Sequence, residues 1–137
     1  MTAMFFLVGR ILLGGYLLDS GINHFLSLGF MAQYAGAKGV PAPEIAVLGS
    51  GLLLLVAGAT IVLWLYPKVG IACAALFLVG VTPMMHNFWA VPPEQQMGEM
   101  VNFTKNFALL GATLMLVAIP EPWPMAIGTG RGRVLAS

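Results

Sequence analysis

Asp19, Asn23 and His24, then His86 and Asn87, then Asn102, Lys105 and Asn106 lie within or at the ends of long apolar runs. Side chains of this kind are costly in hydrocarbon, so where they persist they hold helices together or build a site. Neutral imidazole and amide groups in an otherwise apolar slot can orient the carbonyls of a quinone or another small lipophilic ligand. His24, His86 and Asn106, with Trp89 beside them, are the candidate ligand-binding residues, and imidazole can also carry protons. Asp19 and Lys105 sit at similar depth and are the expected charge pair, with Asn102 and Arg10 as further structural candidates.

Other chemistries find less support. His24 and His86 as axial haem ligands lack convergent neighbours in the sequence. Met84, Met85, Met97 and Met100 cluster near His86. Thioether and imidazole suit Cu(I), but methionine is also a common gap-filler in apolar bundles. The stretch Glu94-Gln95-Gln96-Met97-Gly98-Glu99 reads as a loop with no EF-hand or HExxH spacing. Cys73 stands alone inside an apolar run, which excludes an intramolecular disulfide or a CxxC pair. No metal site is assigned.

The elements that position these residues follow from composition. The 137 residues are 59% hydrophobic and 8% charged, whereas a soluble domain carries about 25% charged residues. So few charges cannot clothe a soluble surface, and so much apolar character excludes a disordered chain. A net charge of +1 offers no basic footprint for nucleic acid. Apolar stretches at 4–28, 44–65, 69–89 and 102–119 each approach the length of about 20 residues that spans a bilayer. The expected fold is all-α: an antiparallel bundle of four transmembrane helices over residues 1–120, with 121–137 as a flexible basic tail. Ala35-Gly36-Ala37 is similar to a signal-peptidase site, but Arg10, Asp19 and His24 interrupt the preceding run, so a retained helix is expected.

Punctuation sets the connections. Gly39-Val40-Pro41-Ala42-Pro43 cannot continue a helix, and Tyr66-Pro67-Lys68 is a tight turn. Ala90-Val91-Pro92-Pro93 is expected to stop the third helix, and Glu121-Pro122-Trp123-Pro124 the fourth, with Trp123 as an interfacial anchor. Antiparallel helices then bring the end of the first, the end of the third and the start of the fourth to one side, where the polar residues concentrate. Lys68, Arg131, Arg133 and Arg10 fall on the opposite side from Lys38 and Lys105. The positive-inside rule places both termini in the cytoplasm and the polar cluster near the extracytoplasmic surface of a bacterial-type inner membrane. At about 100° per residue, Gly14, Leu17, Gly21 and His24 fall within about 40° of Arg10, a face for close helix contact from which Arg10 can also reach the interface. Asp19 lies opposite.

The same residues admit a second reading. An Asp–Lys pair with amide and imidazole hydrogen bonds can be structural glue in a non-catalytic interaction subunit. In that case Gly70-x-x-x-Ala74 and the Gly51/Gly58 pair would dock partner helices from other membrane subunits or from a second copy.

Several of these segments, taken in order, resemble the DoxX family of small four-helix membrane proteins. They are Arg10-Ile11-Leu12-Leu13-Gly14 and Ser20-Gly21-Ile22-Asn23-His24, then Met31-Ala32-Gln33-Tyr34 and Gly39-Val40-Pro41. His86-Asn87-Phe88-Trp89 and the run Asn102-Phe103-Thr104-Lys105-Asn106-Phe107-Ala108-Leu109-Leu110-Gly111 continue it. The resemblance implies a membrane subunit of an oxidoreductase system, as described for family members in thiosulfate:quinone oxidoreductase and oxidative-stress assemblies. It carries over no catalytic residue set. Without a cysteine pair, any sulfur chemistry would need a partner or a bound cofactor.

Overall fold

Three helices begin on proline, at a position where the missing N–H costs nothing and the fixed φ is already helical. These are α3 (Pro43–Leu63), α4 (Pro67–Met85) and α5 (Pro93–Met115). Before them come α1 (Thr2–Leu26) and a short α2 (Leu28–Ala37), and 3₁₀ turns follow at Phe88–Ala90 and Leu116–Ala118. A computed structural model describes residues 1–121 and Trp123; the expected basic tail therefore lies, apart from Glu121 and Trp123, outside the described residues. Four helical segments, Thr2–Leu26, Pro43–Leu63, Pro67–Ala90 and Pro93–Ala118, are long and apolar enough to cross a membrane. The fold is an all-α bundle.

Apart from α4 ending at Met85 rather than at 89, two boundaries differ from the sequence expectation. The connection after α1 is itself helical, because Ser27 (φ −112°, ψ 27°) breaks the helix and α2 restarts at once. Ala35 of the A-x-A segment is buried within α2 against Ala32 and Val47. The stretch 94–99, expected as a loop, forms the first turns of α5. Hydropathy finds the apolar part of a helix, whereas Glu, Gln and Met are good helix formers and Glu94 sits where the helix dipole favours an anion.

The tightest seam joins α1 and α3, where the glycines are used. A Cβ on Gly58 would lie 2.7 Å from the carbonyl oxygen of Gly14, and one on Gly51 would lie 2.8 Å from His24 Cβ. A Cβ on Gly70 would collide with Thr60 Oγ1. Gly51, Gly58 and Gly70 are thus spent inside the bundle on α1–α3 and α3–α4 packing, not on partner helices. Leu17, Leu54, Ala57, Ile61, Ala74, Phe77 and Leu78 fill the core between these helices.

The α3–α4 turn holds Trp64 (φ 61°) and Tyr66 (φ 52°) in the left-handed region, which costs roughly 1–2 kcal/mol per non-glycine residue. Burial of the Trp64 indole offsets this. It stacks on Trp123 with centroids 4.0 Å apart, and Phe6 meets Trp123 edge-on at 5.1 Å. Trp123 is 3% exposed, so it closes this end of the bundle rather than serving as an interfacial anchor.

Candidate functional site

At the opposite end, α1, α2, α3, α4 and α5 line an open-sided cavity of about 540 Å³. Phe30, Met31, Val47, Phe77, Val81, Met84 and Met85 supply its apolar wall. Tyr16, Ser20, His24, Tyr34, Ser50, His86, Asn102, Lys105 and Asn106 supply the polar groups. His24, His86 and Asn106, far apart in sequence, therefore line one space.

Each polar group reaches its position for a local reason. His24 sits one turn above Ser20 on α1, and its Nδ1 donates to the Ser20 carbonyl at 2.7 Å. Its ring meets Phe77 edge-on at 5.9 Å. His86 is the residue that ends α4 just after Pro83, its backbone N–H still donating to the Thr82 carbonyl at 3.0 Å. Asn106 and Thr113 are the buried residues of α5. Asn106 is 6% exposed, yet its amide makes no hydrogen bond with another described residue. Lys105 donates to Asn102 Oδ1 at 3.1 Å and lies 6.0 Å from the Tyr16 ring centre.

Beside the cavity stands a polar cluster centred on Glu99. Oε2 accepts from His86 Nδ1 at 2.8 Å, and Oε1 accepts from the Tyr34 hydroxyl at 2.5 Å. Lys38 Nζ is 3.5 Å from the same carboxylate and donates to Asn87 Oδ1 at 2.9 Å. Burial, and then the hydrogen bond to Glu99 and its charge, push the Tyr34 hydroxyl up to about 12. This cluster ties α2 to α4 and α5 across the cavity. Sequence reasoning missed Glu99, although it continues the Asn102–Asn106 stripe one turn earlier; that signal depends on treating 94–99 as helix.

Other candidates lie elsewhere. Asp19 is exposed on α1 and forms no ion pair with Lys105. The helix face opposite Asp19 packs on α3, which turns the carboxylate away from α5. Arg10 is 2% exposed and partnered at the far end, so it faces protein rather than headgroups. Trp89 is 59% exposed and joins Phe88 and Phe103 in an edge-to-face aromatic group outside the cavity lining. Met84 and Met85 line the cavity, whereas Met97 and Met100 are exposed. Among the described residues no group of three or more His, Cys, Asp or Glu side chains could hold a metal ion.

No curated protein and no solved structure matches the chain. The DoxX family model matches residues 5–87, from α1 to the residue after His86, and leaves α5 with Glu99, Lys105 and Asn106 outside the match. With well over half of its 137 residues so matched, the chain belongs to the DoxX family.

Proposed function

We propose that this protein is a membrane subunit of an oxidoreductase system, and that its cavity takes a quinone or a similar lipophilic ring ligand from the bilayer. The observation that carries the reading is the convergence of His24, His86 and Asn106 on one largely apolar space of about 540 Å³. That volume falls within the range of about 300–1,000 Å³ usual for small-molecule sites, which combine apolar walls with a few orienting polar groups. Lys105 and Asn102 line the same space, and the Glu99 cluster positions His86. Trp89 has no part in this site. Under the positive-inside rule the chain sits in a bacterial-type cytoplasmic membrane with both termini inside and the cavity toward the extracytoplasmic face.

The test is quinone content in lipid extracts of protein purified from native membranes, with titration of a short-tailed benzoquinone into the pure protein. A stoichiometric quinone, lost together with titratable binding in His24→Ala/His86→Ala, supports the reading. Extracts free of both quinone and hydroquinone, with no titratable binding of either redox form, would sink it.

A non-catalytic assembly role is favoured by a different observation. Thr104, Ala108, Gly111 and Ala112 of α5 are all exposed, and nothing lies within 4 Å of a Cβ on Gly111. Small residues let helix backbones approach closely in lipid, so this face is the natural dock for another membrane subunit or a second copy. Crosslinking from Gly111→Cys in native membranes tests it: a specific adduct supports docking, and an unreacted monomer opposes it.

A further inference from the structure

We infer that the cavity takes its ring ligand as the hydroquinone rather than the quinone. The inference rests on the binding reading above and deepens it by naming the form of the ligand that the protein selects.

The argument begins with which ring nitrogens carry hydrogen. A backbone carbonyl can only accept, so the contact of 2.7 Å between His24 Nδ1 and the Ser20 carbonyl places the proton on Nδ1. In the neutral ring Nε2 is then a bare acceptor. The carboxylate of Glu99, 2.8 Å from His86 Nδ1, likewise accepts from Nδ1–H, so in the neutral ring Nε2 of the second imidazole is again the acceptor. Neither Nε2 has a hydrogen-bond partner among the described residues, and both rings line the cavity.

Two residues with a candidate acceptor therefore line the cavity. Quinone oxygens are acceptors as well and leave both Nε2 atoms unsatisfied. A hydroquinone brings one O–H to each end of its ring and can satisfy an imidazole with it. Its oxygens keep lone pairs for donors in the same cavity, such as Lys105 Nζ and the Asn106 amide. Asn106, 6% exposed and without a hydrogen bond to another described residue, can serve either way, since its amide both donates and accepts. Sites built to hydrogen-bond a hydroxyl discriminate strongly against analogues that lack it, since the polar groups of the site are then left unpaired.

The experiment compares three ligands of one ring and tail on the purified protein in lipid nanodiscs, without oxygen, at about pH 8, above the ordinary range of a free imidazole. They are a short-tailed benzoquinone, its hydroquinone, and the hydroquinone dimethyl ether, which keeps the ring and loses both O–H groups. The hydroquinone is expected to bind roughly tenfold or more tightly than the quinone, and the ether no better than the quinone. His24→Phe, which keeps a ring of similar size without an acceptor, should bring the ratio toward one. Glu99→Gln can donate its amide N–H to His86 Nδ1 and so put the proton on Nε2; it should move the preference toward the quinone. Equal binding of all three, or tighter quinone binding, overturns the inference and leaves the binding reading standing. No binding of any of the three overturns the binding reading, and this inference with it.

Discussion

Glu99 Oε2 lies 2.8 Å from Nδ1 of His86, across the join between α4 and α5, although the two residues are separated by a proline-bounded turn. The same carboxylate receives the Tyr34 hydroxyl and faces Lys38, so one acid holds three elements together. Glu99 is 12% exposed at its side chain. Removing the acceptor leaves its partners with unmet hydrogen bonds, which costs about 1–3 kcal/mol for a fully buried group and less for the exposed Tyr34 hydroxyl. Glu99→Ala should lower the thermal midpoint in detergent well below that of Glu94→Ala, whose side chain is exposed. Equal midpoints would show that the cluster contributes nothing.

Tyr34 supplies a pH signature. Its hydroxyl is raised from 10.0 to about 12 in the folded protein. A group with a raised folded value stabilises the fold fully below its unfolded value, and that contribution is lost as pH rises through the folded value. Stability should thus fall between about pH 10 and about pH 12, and Tyr34→Phe should flatten that part of the profile. Phenolate absorbance should show one of the three tyrosines ionising late. If Tyr34→Phe removes no late-ionising component, the contact with Glu99 is not made.

The α1–α3 seam can be tested with single methyl groups. Gly58→Ala places a carbon against the backbone oxygen of Gly14, which cannot rotate away. The expected loss is about 1–3 kcal/mol, the usual cost of overpacking. Gly111→Ala enters open space, and relief of glycine's backbone entropy should make it neutral or stabilising by up to about 1 kcal/mol. Unfolding midpoints of the two variants side by side settle the matter; similar values would contradict the close approach.

Asp19 and Lys105 should be energetically independent. With no ion pair between them, the cycle of Asp19→Asn, Lys105→Gln and the double variant should give a coupling energy within about 0.5 kcal/mol of zero. A coupling of several times that size would restore the charge pair expected from depth alone.

Much of this protein is legible in its residues taken one at a time. The scarcity of charge fixes the solvent as lipid, the apolar runs locate four spans, and the proline-bearing stretches at 39–43, 66–68 and 90–93 mark the breaks between them. Depth is equally readable, because each residue advances a helix by about 1.5 Å, and counting from the turns puts His24, His86 and Asn106 at one end. What depth cannot supply is azimuth between helices. Asp19 and Lys105 share a level, but the glycine seam of α1 on α3 rotates Asp19 outward and leaves Lys105 beside Tyr16. Trp89 lies next to His86 and Asn87 in sequence, yet the 3₁₀ turn carries it away from the cavity toward Phe103. Glu99 became a site residue only because the polar start of α5 is helical and aligns it with the Asn106 stripe. Hydropathy is a sum over single residues and needs no partner; a cavity is a relation among five helices, set by which small faces pack and which side chains that packing turns inward.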